Sequence, residues 1–250
     1  MASLYMNVDK STVAENVIFS GDPWRVEVLA KYLESPRKVA FNREFNTYTG
    51  TYKGTPVTVS STGIGAPSAA IAMEEMYEAG MKTAVRLGTV MALRDDMLGK
   101  FIIPTASMRM ESTSATYAPA GFPAAADFEL VTCMNRTVTQ MGAEYLNGIG
   151  CSMDGFYTMM HNSRLSKEME RDMAETFAGL KRLKIVGVDM ESSCMLVVGR
   201  LMGVRTCVVT ITTVLENLKD ALKGEERTAA EDLLCRVVLE GIQNFDNGLS

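Results

Sequence analysis

No apolar run in this chain of 250 residues approaches the roughly 20 that span a bilayer, and the opening stretch MASLYMNVDKSTVAEN lacks the apolar core of a secretory leader. Both absences point to a cytosolic, cytoplasmic protein with no membrane partner. Positive charge is also short. Against 30 Asp and Glu stand 25 Lys and Arg, for a net charge of -5, so nothing in the overall field favours the backbone of a long nucleic acid. A small anion needs only a local basic cluster. The five cysteines, Cys133, Cys151, Cys194, Cys207 and Cys235, are odd in number, far apart and set partly in apolar runs such as CVVTI. They lack the paired spacing of a zinc site and read as buried thiols. Histidine occurs once, at His161. No internal repeat, low-complexity tract or linker divides the chain, which reads as a single domain, 1–250.

What is present is apolar material in an orderly arrangement. Hydrophobic residues make up 47% and charged residues 22%, enough to bury a large core. The 19 methionines read as soft fillers of irregular core gaps. Short apolar runs ending in Gly or Ser alternate with longer stretches of helical period, which predicts an α/β fold with a largely parallel or mixed sheet. VIFSGDP reads as a strand opening into a turn, with Pro23 in the first turn of the helix WRVEVLAKYL. KVAFNREFNTYTGTYKGTPVTVSST predicts two or three strands turning around Gly50 and Gly54. GIGAPSAAIAMEEMYEAG predicts a helix ending at Gly80, and TAVRLGT a buried strand. FIIPTASMRMESTSATYAPAGFPAAADFEL mixes a strand with a long loop before a helix starting near Asp127. YLNGIGCSM predicts a strand, SKEMERDMAETFAGL one polar helix and VDMESSCMLVVGRLMG a buried helix. RTCVVTITTV is then a strand, and ERTAAEDLLCRVVLEGIQNF a closing helix.

Chemistry enters at Arg86. An arginine among Ala84, Val85 and Leu87 is costly to bury without an anionic partner, and a salt bridge to an internal carboxylate would suffice. Gly21-Asp22-Pro23-Trp24-Arg25 at a second strand end shifts the reading toward an anion hole. Guanidinium forks bind phosphate oxygens in pairs, Gly21 lets a backbone N–H approach, and Thr89 can donate a hydroxyl. Gly63-x-Gly65 lacks the third glycine and the setting of a dinucleotide fingerprint, and reads as a strand-to-helix turn.

GDPWRV, NREF, STGIGAPSAAIAMEE, RLGT, YAPAGFPAAADFE and DMESS occur together and in order, and in this they resemble the uridine phosphorylases of the hexameric nucleoside phosphorylase family. Coverage is close to full length, with the best agreement from Phe19 to Glu129 and from Val188 to Gly203. The resemblance implies a mixed, partly closed sheet surrounded by helices, and phosphorolysis of a nucleoside to a free base and ribose 1-phosphate. Phosphate would be the co-substrate, with no organic cofactor. Gly21, Arg25, Arg86 and Thr89 match the family's phosphate ligands, and Arg43 matches an arginine reaching into a neighbouring subunit's site. That implies a homo-oligomer, at least a dimer. Met190 and Glu191 match the pair under the ribose, and Phe156 an aromatic packing on the base. Glu44, Ile64 and Ser68 match positions that hold a monovalent cation at the dimer interface in some members.

The base pocket departs from that pattern. Val90 and Met91 follow RLGT where the family has a small residue and glycine. Met160 and Asn162, with Arg164 beyond them, stand where a Gln-x-Arg pair reads uracil. Glu216 stands two residues from where purine-cleaving relatives carry an acid. The family's N-terminal histidine is missing, with Tyr5 the nearest candidate by spacing. His161 reads as a loop residue, and Glu44 and Asp127 as structural carboxylates. A capping role for Glu191 at the start of its helix competes with ribose binding. A pyrimidine nucleoside, uridine first, is the expected substrate. The alternatives are a purine nucleoside phosphorylase with Glu216 as acid, and a weakly active paralogue that binds nucleoside or lends Arg43 to a partner's site.

Overall fold

The computed structural model describes residues 2–249. Its nine strands form one mixed sheet: β1 (Asn16–Ser20), β2 (Glu34–Asn42), β3 (Phe45–Tyr52), β4 (Thr55–Ser61), β5 (Thr83–Ala92), β6 (Phe101–Met110), β7 (Tyr145–Met153), β8 (Ile185–Asp189) and β9 (Arg205–Leu215). The order is β2-β3-β4-β1-β5-β8-β7-β6-β9, and β9 also pairs with β5. That extra pairing closes β5, β8, β7, β6 and β9 on themselves and leaves β1 to β4 as an extension, the partly closed sheet that the family resemblance implies. Apolar runs buried on both faces, such as Val17, Ile18 and Phe19 in β1, make the central strands.

Among the described residues, eight α-helices cover the sheet: α1 (Pro23–Ala30), α2 (Ala66–Glu78), α3 (Thr113–Tyr117), α4 (Phe128–Gln140), α5 (Arg164–Glu168), α6 (Met173–Arg182), α7 (Ser192–Met202) and α8 (Gly224–Asp246). One apolar cluster unites Leu29 of α1, Leu130 and Met134 of α4 and Val238 of α8 with β5 and β9. A second packs Met73 and Met76 of α2 and Met195 of α7 against Phe19 and Ala84. A third, rich in methionine, gathers Met91, Met153, Met160 and Met173 near one mouth of the closed strands. All five cysteines are free and buried, as their apolar settings predict.

Three local expectations need correction. Gly50 lies inside β3, not in a turn; a Cβ there would come within 2.9 Å of the Glu34 carbonyl oxygen, so the glycine serves close strand approach. The turns fall at Arg43-Glu44 and at Lys53-Gly54, where Arg43, Lys53 and Gly54 have positive φ. The polar helix is two helices, because Glu170 turns left-handed at φ 53° and Asp172 caps α6 by accepting from Glu175 N at 2.9 Å. VD does not open a helix: it ends β8, a five-residue strand too short for periodicity to separate from helix.

Gly187 lets β8 fit between its neighbours. A Cβ there would meet Val90 Cγ2 at 2.9 Å, Ile102 Cδ1 at 3.2 Å and the Met91 carbonyl oxygen at 3.2 Å. Gly187→Ala is therefore expected to cost about 1–3 kcal/mol by overpacking, read as a lower urea midpoint at unchanged slope.

Candidate active site

The edge of β5 changes partner along its length. Thr83–Leu87 pairs with β1, Met91 and Ala92 pair with β8, and Gly88-Thr89-Val90 between them has neither neighbour on that side. A cavity of about 900 Å³ opens at this split, where the ends of β1 and β8 meet along β5. Gly21, Arg25, Arg86, Thr89, Met190 and Glu191 all line it.

Arg86 is 4% exposed. Its Nε donates to Asp189 Oδ2 at 3.1 Å, its Nη2 donates to Glu191 Oε2, and its Nη1 is buried without a partner. The internal salt bridge and a free N–H thus coexist. Gly88 permits the fork to fold back along the strand, since a Cβ there would sit 3.2 Å from Arg86 Cζ. Burial works against the Arg86 charge, yet Glu191 and Asp189 outweigh it and hold its pKa above the usual arginine value. Asp189 is fixed in turn: Ser152 Oγ donates to it at 2.6 Å, and the Ser192 hydroxyl donates as well.

Arg25 follows the turn that ends β1. Asp22 caps α1 by accepting from Trp24 N at 2.9 Å, and Pro23 fills the first turn as expected. The Arg25 fork contacts Ser20 Oγ at 3.4 Å and Glu231 Oε1 at 3.1 Å, leaving Nε buried and unpartnered. Glu231 also accepts from Arg227 Nε at 2.9 Å, and Arg227 lines the cavity. Two buried arginines with unused N–H groups therefore converge at one end.

Glu191 occupies the N-cap position of α7, but its side chain caps nothing. It accepts from Gly65 N at 2.7 Å and faces Arg86. The capping reading is displaced because the Gly63-x-Gly65 turn, with both glycines at positive φ, presents an amide to the same carboxylate. Burial pushes the Glu191 carboxyl up, Arg86 opposes the shift, and Asp189 adds to it.

The other end of the cavity is apolar, formed by Val90, Met91, Phe156, Met160, Met190 and Val214, with Tyr157 and Thr213 as its polar members. His161 does not line it; the ring stacks on Phe156 at 5.7 Å, with Nδ1 2.8 Å from Asn162 O. Glu216 does not line it either. The side chain lies behind Met160 in a neighbouring cavity and pairs with Lys181, because Glu216 N is anchored to Ala92 O at 3.1 Å past the end of β5.

Tyr5, Arg43 and Ser68 are likewise absent from the lining within one chain. The Arg43 guanidinium lies over the Tyr5 ring, 5.2 Å from its centroid. Ser68 Oγ donates to Glu44 Oε1 at 2.9 Å, and Glu44 and Ile64 do reach the cavity rim, with Ile64 78% exposed. Asp127 caps α4 and pairs with Arg205. Asp189 and Arg227 were not anticipated. For Asp189 the signal was available: a second acid beside Glu191 next to a buried arginine.

Fold and cavity together define an α/β protein with a pocket at a split in the sheet, where two buried arginines meet buried carboxylates at one end and an apolar wall stands at the other. The chain belongs to the phosphorylase superfamily, whose sequence pattern matches residues 15–243. It is 33% identical over 242 residues to a uridine phosphorylase of Treponema pallidum, covering 96% of this chain and 92% of the relative. With the uridine phosphorylase of Escherichia coli it shares 33% over 234 residues, covering 91% of each. A guanosine phosphorylase of Halorubrum lacusprofundi is 32% identical over 226 residues, covering 89% and 88%. Among solved structures, uridine phosphorylase from Vibrio fischeri superposes with TM-score 0.83 at 29% identity, covering 96% of both chains. Purine nucleoside phosphorylase from Toxoplasma gondii in complex with immucillin-H superposes with TM-score 0.86 at 26% identity, covering 99% and 97%. Among the described residues, no helix is long and apolar enough to cross a membrane.

Proposed function

We propose that this protein catalyses phosphorolysis of a pyrimidine nucleoside, uridine first, to the free base and ribose 1-phosphate, working in the cytosol without an organic cofactor. The carrying observation is Arg86 held between Asp189 and Glu191 with one N–H still free. One guanidinium thereby places an anion site beside a carboxylate that accepts hydrogen bonds from ribose hydroxyls. Arg86, Arg25, Thr89 and the Gly21 amide hold phosphate, and Met190 lies against the sugar. As the glycosidic bond loosens, the sugar becomes oxocarbenium-like; a phosphate dianion held close to C1′ stabilises that charge and then attacks. Phe156, Met91 and Met160 enclose the base, which leaves with negative charge.

The charge balance supports a contribution from a second copy. The lining carries Arg25, Arg86 and Arg227 against Asp22, Glu44, Asp189 and Glu191, an excess of one carboxylate. A dianion needs another cation, and Arg43 of a neighbouring protomer supplies it, with Tyr5 approaching the 5′ end of the sugar from the same protomer. Glu44, Ile64 and Ser68 form the rim where a monovalent cation would sit at that interface. Arg43→Ala and Glu191→Ala are each expected to be nearly inactive alone. Mixed by refolding, they should recover about a quarter of wild-type activity, because half the dimers are hybrids with one intact site each. No recovery would mean that Arg43 acts within its own chain, and an Arg43→Ala variant active alone would mean that it does not act.

The test of the base is a panel of uridine, thymidine, inosine and adenosine with phosphate, followed by chromatography of the bases. Uracil release with little purine release is expected. Inosine or adenosine reacting faster would overturn the pyrimidine reading, and no turnover of any nucleoside would favour an inactive paralogue. Glu216, paired and outside the cavity, gives the purine alternative no acid in the position it needs.

A further inference from the structure

Met160 is a wall shared by two cavities. On one side is the apolar end of the nucleoside cavity; on the other is a chamber of about 310 Å³ lined by Met160, Asn162, Phe177, Lys181, Glu216 and Asn217. The two sides differ in chemistry. The nucleoside side offers the base little beyond the Thr213 and Tyr157 hydroxyls. The far side holds an ion pair, Lys181 with Glu216 Oε1, flanked by two amide side chains.

Glu216 Oε2 is buried and has no hydrogen-bond partner. An unpaired carboxylate oxygen cut off from water calls for a donor. The Glu216 backbone is also fixed, through its N–H to Ala92 O, at the end of the strand that carries Met91. Among the described residues, the only side chain common to both linings is Met160, an unbranched thioether that can change rotamer at small cost.

We propose that the chamber behind Met160 is a second recognition site for the base, taking a nucleoside whose base bears a short arm ending in a neutral carboxamide. The arm displaces the Met160 side chain, its NH₂ donates to Glu216 Oε2, and its carbonyl accepts from the Lys181 ammonium. A carboxamide fits both partners, whereas an ammonium arm would meet Lys181 and a carboxylate arm would meet Glu216. This reading rests on the proposed phosphorolysis for its substrate class but extends to residues outside the nucleoside cavity.

The test compares 5-carbamoylmethyluridine with 5-isobutyluridine, which has the same arm length and branching but no polar atoms. Position 5 is used because substitution there leaves O2, N3 and O4 of the ring intact. In the wild-type protein kcat/KM for the carboxamide is expected to exceed that for the isobutyl compound by about ten- to a hundredfold, the usual worth of a hydrogen bond to a charged group. In Glu216→Ala the ratio should fall to within about threefold, and any general loss of folding cancels because both substrates are measured on one preparation. Met160→Ala should raise kcat/KM for both armed nucleosides relative to uridine. A wild-type ratio near or below one, or a ratio unchanged in Glu216→Ala, would overturn the proposal. If uridine itself is not cleaved, the phosphorolysis reading fails, and the ratio of calorimetric dissociation constants for the same pair still decides the chamber.

Discussion

Arg86→Lys is expected to remain folded and to lose about 10²- to 10³-fold in kcat/KM, the usual effect of removing one pre-aligned donor at a reacting centre. Lysine keeps a positive charge between Asp189 and Glu191, so neither carboxylate is left without a counterion. What it cannot keep is the fork: three nitrogens in one plane, two of them committed and Nη1 free. The loss should appear mainly in the dependence on phosphate, because the proposed anion site uses the Nη1 group that no protein atom occupies. Arg86→Ala is a harsher change. It strands two buried carboxylates, and breaking a buried pair in this way costs about 3–5 kcal/mol, so its thermal melt should fall together with its activity. Steady-state kinetics and melting curves on the two variants separate the roles. A lysine variant with wild-type phosphate dependence would remove Arg86 from the anion site.

Glu191→Gln should lower kcat/KM by about 10²-fold or more at neutral pH, since a carboxylate accepting from ribose hydroxyls is worth more as their partner than an amide. Its pH signature is sharper. Burial pushes the Glu191 carboxyl above the usual carboxylate range, with Arg86 only partly opposing. In the proposed reaction the ionised form is the working form, so activity is expected above this raised folded-state pKa and is lost as pH falls through it. Stability runs the other way. A carboxyl raised on folding contributes stability that is fully present below its unfolded pKa and is lost as pH rises through the folded value. Activity and thermal stability should therefore move oppositely across that window in the wild type, and Glu191→Gln should flatten both trends. An acid limb in kcat/KM that is identical in the glutamine variant would assign the titration to another group.

Much of the polar half of the cavity could be seen before any coordinates, because its residues violate simple burial rules. An arginine in the middle of TAVRLGT has to be compensated, and the structure brings Asp189 and Glu191 to it over more than one hundred intervening residues. Gly21, Gly63 and Gly65 mark turns, and the last two show the positive φ that glycine favours. The rest was hidden for physical reasons. β8 has five residues with a glycine in the middle, so it carries no period, and its antiparallel pairing to β5 is a tertiary fact. Arg227 enters the cavity from the first turn of α8, where an exposed charge looks like any solvated helix start. Glu216 matches the family's base-pocket acid only if a two-residue shift of the loop is allowed. Its place behind Met160 follows from the loop after β9, which folds back with Leu215 N bonded to Asp220 O at 2.9 Å.

The most direct measurement follows inorganic phosphate and ribose 1-phosphate by phosphorus NMR while release of uracil from uridine is read by absorbance. Ribose 1-phosphate should form in step with uracil, and omission of phosphate should abolish cleavage. Uracil released at the same rate without phosphate would instead make water the nucleophile and contradict an anion site built on Arg25 and Arg86.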